Sequence, residues 1–179
     1  MSETEKEYRS IITICKTLFD KKNQDYGTSW RILRLPSITD QIFIKANRIR
    51  SIQIKGQQKV ADDIKSEFIG IINYCVMALI QCELGDNNEQ ELSTEHVSQL
   101  YQKQVDETIA LLMNKNHDYD EAWRSMRVSS ITDIILMKLF RTKQIEDNAG
   151  VTLVSEGVEA NYQDMINYAV FAMILMNEV

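Results

Sequence analysis

A chain of 179 residues with 44% hydrophobic and 26% charged side chains has the composition of one ordinary globular domain. It contains one proline and six glycines, whereas average usage of about 7% Gly and 5% Pro would give roughly 22 of the two together. So few turn-forming residues exclude a β-sandwich and a collagen, and they predict an all-α fold of long helices.

The net charge of −6 is divided unevenly along the chain. Residues 1–90 carry 13 basic and 12 acidic side chains, whereas residues 91–179 carry 7 and 14. The overall excess of acid argues against a general nucleic-acid binder. Net charges of +1 and −7 predict that the two halves have different electrostatic roles.

The cysteines and the N-terminal residues predict a cytoplasmic protein. Cys15, Cys75 and Cys82 lie in apolar segments without paired spacing, as expected of reduced thiols. The first residues are acidic and lack an apolar signal segment, and the longest apolar run, residues 168–176, is shorter than the ~20 residues that a membrane span needs. We expect no membrane partner, and the sequence leaves a homo-oligomer open.

An internal repeat with an offset of 93 residues organises the chain. Residues 22–48 and 115–141 are identical at 14 of 27 positions, and the same offset aligns Tyr8 with Tyr101. After one inserted residue, Asn73 aligns with Asn167. The sequence therefore predicts one compact domain, residues 1–179, built from repeats 5–83 and 95–178 that are joined by a linker at 84–94.

Each repeat is expected to form three helices. Helical apolar spacing predicts the first at residues 5–22 and 95–115, the second at 37–54 and 130–145, and the third at 61–83 and 156–178. The pattern Ser-x-x-Asp at Ser37 and Ser130 is a capping-box signal for the start of the second helix. Because three helices bury little surface alone, we expect a pseudo-two-fold helical bundle.

The segment after the first helix is expected to be a loop with repeated polar and aromatic side chains. These residues either close the helix and cover the core, or contact a ligand through cationic, anionic and stacking groups. The candidates for nucleotide binding are Lys22, Asp25, Tyr26, Lys115, Asp118 and Tyr119.

A short turn follows in which a tryptophan precedes an arginine, Trp30-Arg31 and Trp123-Arg124. An aromatic ring can stack on a base, and the arginine fork matches phosphate oxygens, so the turn suits a nucleotide. The alternative is a tryptophan buried between helices with a solvent-facing arginine.

The second helix carries one acid and two cations in each repeat. Asp40 and Asp133 are either helix caps or ligands of a hard cation such as Mg²⁺. The cations, three residues apart, either hold a phosphate or form a solvated edge; they are Lys45, Arg48, Lys138 and Arg141.

The third helix differs between the repeats. Glu67 and Gly70 align with Asn161 and Asp164, so each copy has one acid of an i, i+3 pair that could share a metal ion. The second copy adds Glu156 and Glu159. Glu67, Glu156, Glu159 and Asp164 therefore join Asp40 and Asp133 as candidate metal ligands.

Lys-Asn-x-Asp-Tyr-x-x-(Ser/Ala)-Trp, Ser-Ile-Thr-Asp, the following Lys-x-x-Arg, and Asn-Tyr in the third helix occur once in each repeat. With these motifs the chain resembles the nucleotide modification associated domain of type 1, formerly a domain of unknown function. That family is similar to the all-α nucleoside triphosphate pyrophosphohydrolases of the MazG and dimeric dUTPase group. The resemblance adds Asn73 and Asn167 to the nucleotide-binding candidates.

The resemblance implies a nucleotide partner and Mg²⁺, with Asp40 and Asp133 on the first metal helix and Glu67 and Asp164 on the second. If the protein is an enzyme, it would be a metal-dependent nucleotide pyrophosphohydrolase in which the acidic second repeat holds the metal. Neither repeat contains a complete Glu-x-x-Glu followed by Glu-x-x-Asp. The alternative is a non-catalytic helical scaffold or interaction protein with a degenerate site.

Overall fold

The computed structural model describes residues 1–56, 61–87, 89–119 and 121–177, without the side chains of 61–63 and 116–119. Six α-helices and two 3₁₀ turns occupy these residues, and this all-α architecture confirms the predicted fold class. The first repeat contains α1 (Glu3–Tyr26), the turn Ser29–Ile32, α2 (Leu35–Lys55) and α3 (Ala61–Leu84). The second contains α4 (Thr94–Tyr119), the turn Ala122–Ser125, α5 (Val128–Asp147) and α6 (Val158–Asn177).

The first helix of each repeat is longer than the sequence predicts. The backbone from Lys22 to Tyr26 forms the last turn of α1, and that from Lys115 to Tyr119 forms the last turn of α4, so neither is a loop. No helix-breaking residue precedes Gly27, which ends α1 with φ +61° and donates its N–H to the carbonyl of Asn23.

The predicted capping boxes are also wrong. The N-cap positions of α2 and α5 are Arg34 and Arg127, and neither side chain caps its helix. Ser37 and Ser130 lie inside the first turns of these helices. The first turn of α2 also contains Pro36, which is tolerated there because an N–H at this position has no acceptor within the helix. Asp40 and Asp133 therefore do not form capping boxes with Ser37 and Ser130.

Four helices form the centre of the bundle, with α2 against α3, α3 against α6, α6 against α5 and α5 against α2. The first helices lie outside this group and contact each other, and each packs on the third helix of both repeats. Buried side chains from both repeats join one apolar cluster. Helix α6, apolar nearly all round, contacts four other helices, as expected of a central helix.

A pair of equivalent hydrogen bonds relates the two repeats. The hydroxyl of Tyr8 on α1 donates to Oδ1 of Asn167 on α6 at 2.8 Å, and the hydroxyl of Tyr101 on α4 donates to Oδ1 of Asn73 on α3, also at 2.8 Å. Each first helix is thus bonded to the third helix of the other repeat. The exchange of equivalent partners is the signature of a pseudo-two-fold arrangement.

Within the described residues, Ile64–Leu84 is long and apolar enough to cross a membrane by length and composition alone. More than half of the window, 56%, is buried inside the protein. A core helix satisfies the same criteria, so the segment is not evidence for a membrane partner.

Candidate functional site

A cleft of about 410 Å³ opens in the first repeat between α1, the first 3₁₀ turn and α3. We call it the first cleft. Five residues that the sequence predicts to bind a nucleotide line it together: Lys22, Tyr26, Trp30, Lys45 and Asn73. Asn23 and Tyr74 also line it, and neither is among the nucleotide-binding candidates from the sequence. Both belong to segments repeated in the second half, which is the signal that could have identified them.

Two buried hydrogen-bond donors in the lining of the first cleft have no partner in the described structure. They are Nε1 of Trp30 and Nδ2 of Asn23, and the two residues are 8% and 5% exposed. An indole N–H can only donate, and a buried donor without an acceptor is destabilising. A ligand with hydrogen-bond acceptor atoms would therefore satisfy both donors of the first cleft.

The charge of the first cleft comes from two lysines. Lys22 lies at the exposed end of α1, and Lys45 reaches the wall from α2 with its ammonium 5.7 Å from the ring centre of Tyr74. No carboxylate is among the lining residues that the structure describes. Glu67 lies just outside, with its carboxylate 3.6 Å from Nζ of Lys45 and 2.5 Å from Nη1 of Arg48.

The second repeat has an equivalent cleft of about 450 Å³, the second cleft, lined by residues that include Lys115, Trp123, Asn167 and Tyr168. Two carboxylates, Glu121 and Asp164, also line it. Its electrostatic character is therefore opposite to that of the first cleft in the part of the chain that the structure describes.

The two tryptophans differ in how the protein covers their rings. The ring of Trp123 stacks on Phe171 at 4.2 Å between centres and 6° between planes, and the guanidinium of Arg124 lies 4.5 Å from its centre. In the first repeat, Met77 occupies the position of Phe171, and the nearest ring to Trp30 is Phe19, tilted by 51° at 6.3 Å. Among the described side chains, an aromatic ring therefore stacks on Trp123, and none stacks on Trp30.

The arginines of the Trp-Arg turns bond to other parts of the protein, and neither lines the first or the second cleft. Arg31 donates to the side chain of Gln81 and to the main-chain carbonyls of Asn87 and Glu89 in the linker. Arg124 donates to Glu7 at 2.5 Å and Glu121 at 2.7 Å, and also to Thr4. Each arginine thus fixes the chain near the start of the other repeat's first helix.

The asparagines of the third helices bond to neighbouring helices. Oδ1 of Asn73 accepts from Tyr101, and Nδ2 of Asn73 donates to the carbonyl of Cys15 on α1 at 3.1 Å. Asn167 accepts from Tyr8. Although Asn73 and Asn167 line the two clefts, these bonds give them a structural role, and nucleotide contact stays a prediction.

Four of the six candidate metal ligands, Asp40, Asp133, Glu67 and Asp164, pair with cations. Asp40 is 3.1 Å from Lys143, and Asp133 is 3.3 Å from Arg50; both carboxylates are largely exposed between α2 and α5. Glu67 pairs with Lys45 and Arg48, as described above. Asp164 is 2.8 Å from Lys138.

Glu156 lies in a separate cleft between α5 and α6, together with Lys138, Arg141 and Asp164. Glu159 lies beside the linker in the cleft that Arg31 lines. Among the residues described, no group of three or more Asp, Glu, His or Cys side chains could hold a metal ion. The candidate carboxylates among the described side chains thus form no cluster of three or more ligands, and a bound Mg²⁺ stays a prediction.

Three further candidates from the two Lys-Asn-x-Asp-Tyr segments are Asp25, Asp118 and Tyr119. Asp25 is exposed at the end of α1, outside the first cleft. The side chains of Asp118 and Tyr119 lie outside the described part of the structure.

A polar cluster that the sequence analysis missed lies between the repeats. Thr39 on α2 donates to Glu146 on α5 at 2.7 Å and lies 2.7 Å from the hydroxyl of Tyr162, which is 3.1 Å from the same carboxylate oxygen. Burial raises the pKa of Glu146 above its ordinary value, despite the two hydroxyl donors. In the first repeat, the equivalent Gln53 donates to Thr132 at 3.1 Å, so only one copy is ionisable.

Comparison with known families agrees with the two-fold repetition. The profile of nucleotide modification associated domain 1 matches residues 22–82 and 115–176, once in each repeat. The chain belongs to the nucleotide modification associated domain 1 family. Neither a curated protein nor a solved structure matches it. The similarity to all-α pyrophosphohydrolases therefore stays a prediction, while the description of the family associates it with nucleotide modification.

Proposed function

We propose that this member of the nucleotide modification associated domain 1 family binds a nucleoside phosphate in the first cleft. The observation that carries the proposal is the combination of two unpartnered buried donors, on Trp30 and Asn23, with two lysines in one cleft. Nε1 of Trp123 in the second cleft is also unpartnered, but the described lining there has two carboxylates and a single lysine. A ligand that is anionic and rich in hydrogen-bond acceptors would satisfy both the lysines and the unpartnered donors of the first cleft. A volume of about 410 Å³ lies within the usual range of small-molecule sites.

Each part of a nucleotide has a complementary group in this cleft. Lys22 and Lys45 would hold phosphate oxygens by charge-assisted hydrogen bonds. The rings of Tyr26, which is 72% exposed, and Tyr74 would cover the base or sugar. The indole N–H of Trp30 and the amide of Asn23 would donate to carbonyl or ring-nitrogen acceptors.

Binding is proposed as the function, rather than hydrolysis by a Mg²⁺-dependent pyrophosphohydrolase. Four of the six candidate metal ligands pair with lysine or arginine side chains of the chain itself, as at Asp164 and Glu67. Using these acids as metal ligands would require breaking several ion pairs. No catalytic step through Mg²⁺ is derived from this arrangement.

Isothermal titration calorimetry with AMP, GMP, CMP, UMP, dTMP and their triphosphates tests the proposal, with inorganic phosphate and free nucleosides as partial ligands. We expect binding in EDTA as well as in Mg²⁺, and weaker binding of the partial ligands because each satisfies only part of the cleft. Release of pyrophosphate from a triphosphate in Mg²⁺ alone would instead support the enzyme.

The repeat supplies a matched control for this experiment. Lys22→Met should weaken nucleotide binding roughly tenfold or more, since a hydrogen bond to a charged group contributes about 1.5–3 kcal/mol. Lys115→Met changes the equivalent position in the second cleft and should leave affinity unchanged. If the unmodified protein binds no member of the panel, the scaffold alternative is favoured; equal losses in both variants would contradict a site in the first cleft.

A further inference from the structure

Gly70 on α3 and Asp164 on α6 occupy equivalent positions in the two clefts, and they are the clearest difference between them. Of the two aligned positions three residues apart, the first repeat has its acid at Glu67, where the second repeat has Asn161. Glu67 does not line the first cleft, whereas Asp164 lines the second. Each repeat therefore has one such acid, but only the second places it in the cleft wall.

The glycine makes room for the lysine of the first cleft. A Cβ atom at position 70 would lie 2.6 Å from both Cδ and Cε of Lys45, which is closer than carbon atoms approach without displacement. Lys45 therefore crosses the bare backbone of Gly70, and both residues line the cleft. Any larger residue at position 70 would move this lysine.

The second repeat has the opposite arrangement. Nζ of Lys138, the equivalent of Lys45, bonds to Oδ2 of Asp164 at 2.8 Å. Asp164 and Glu121 are among the lining residues of the second cleft, while Lys138 lines the cleft between α5 and α6. The aspartate thus takes the place in the wall that a lysine has in the first cleft.

We infer that the Gly70/Asp164 difference restricts phosphate binding to the first cleft, so that the duplicated chain has a single nucleotide site. The inference rests on the proposed function. A phosphate in the second cleft would meet Glu121 and Asp164, whose cations Arg124 and Lys138 are not among its lining residues, and like charges at short range disfavour binding. The second repeat would keep its fold and its contacts to α1 while the first binds the ligand.

Exchanging the acid positions between the repeats tests the inference. Glu67→Asn with Gly70→Asp copies the second repeat into the first, and it should weaken binding of the mononucleotides AMP, CMP, GMP, UMP and dTMP at least roughly tenfold, because the cleft loses a lysine and gains a carboxylate. Asn161→Glu with Asp164→Gly makes the reverse exchange. It should add a second, weaker binding event to the single one measured by calorimetry for the unmodified protein.

The two tryptophans report each site separately. In a Trp123→Phe background, nucleotide should change the fluorescence of Trp30. In a Trp30→Phe background, the fluorescence of Trp123 should respond only after the Asn161→Glu/Asp164→Gly exchange. Circular dichroism checks the fold of every variant. Gly70→Ala, which adds only the Cβ atom, gives a milder test if the first exchange does not fold, and it should also weaken binding.

The outcomes separate the inference from the proposed function. If no mononucleotide binds the unmodified protein, the proposed function fails and the inference fails with it. If the unmodified protein binds one nucleotide and Lys22→Met weakens it, the function stands. Unchanged affinity in the Gly70 variants, or two sites in the unmodified protein, would then overturn the inference alone.

Discussion

Replacing Tyr101 by Phe removes one hydroxyl from the interior and leaves the packing of its ring intact. In the native protein this hydroxyl donates to Oδ1 of Asn73 at 2.8 Å and ties α4 to the third helix of the other repeat. Tyr101 is fully buried and Asn73 is 7% exposed. The variant therefore leaves a buried amide oxygen without its donor.

The size of the effect follows from that burial. A buried acceptor that loses its partner costs about 1–3 kcal/mol of folding free energy. For a chain of this length, each kcal/mol lowers Tm by about 2–4 °C. Tyr8→Phe breaks the equivalent bond to Asn167, which is only half-buried. Water can replace the lost donor there, so we expect a loss below about 1 kcal/mol.

Urea denaturation at pH 7, followed by circular dichroism, measures both variants under the same conditions. The unfolding midpoint should fall further for Tyr101→Phe than for Tyr8→Phe, with the slope unchanged in both. A midpoint for Tyr101→Phe equal to that of the unmodified protein, or a larger loss for Tyr8→Phe, would refute the assignment of these bonds as ties between the repeats.

Three further predictions concern charge and burial. Because the folded chain holds the proton of Glu146 to higher pH than the unfolded chain, whose carboxyl titrates near about 4.3, stability should decrease as pH rises above that value. Glu146→Gln should then gain stability over the unmodified protein between pH 4 and pH 7 in urea titrations, and a pH-independent difference would contradict the buried carboxyl. Arg124→Ala loses bonds to carboxylates and should destabilise the protein by about 1 kcal/mol, and this loss should become smaller in added salt. Arg31→Ala loses bonds to neutral carbonyl and amide oxygens, so its effect on stability should not depend on salt. Thermal unfolding in low and high salt distinguishes the two variants. Cys15 and Cys75 are buried, and burial raises the pKa of both thiols, that of Cys15 to about 12. A thiol reagent at pH 8 should therefore label at most Cys82 in the native protein and all three cysteines after denaturation, and fast labelling of more than one native cysteine would contradict this.

Much of the fold could be predicted because its signals are local. Apolar spacing identifies a helix without reference to its neighbours, and the scarcity of proline and glycine identifies long ones. The starts of α2 and α5 were misplaced because a capping-box pattern does not by itself fix the first residue of a helix. Helix α2 starts at Leu35 with Pro36 in its first turn, and α5 starts at the equivalent Val128 with Ser129 in place of the proline, so the start does not depend on the proline.

In the candidate site too, the contacts between residues close in sequence could be predicted, and those between distant helices could not. Lys22 and Tyr26 reach one cleft with Trp30 because they lie within a few residues of each other on α1 and the turn that follows. The partner of an arginine or a carboxylate depends on which other helix packs nearby. The spacing within one helix could not show that Arg31 faces the linker or that Asp133 faces Arg50.

The sequence by itself determined that the protein is helical, that it is duplicated and which family it belongs to, because periodicity and repetition are properties of residue order. The tertiary structure decided that each first helix bonds to the opposite repeat. It also decided that Lys45 crosses Gly70 into the wall of the first cleft, while Lys138 pairs with Asp164 outside the second. These arrangements depend on space and charge contributed by helices far apart in the chain, so identical motifs in the two repeats lead to clefts of opposite charge.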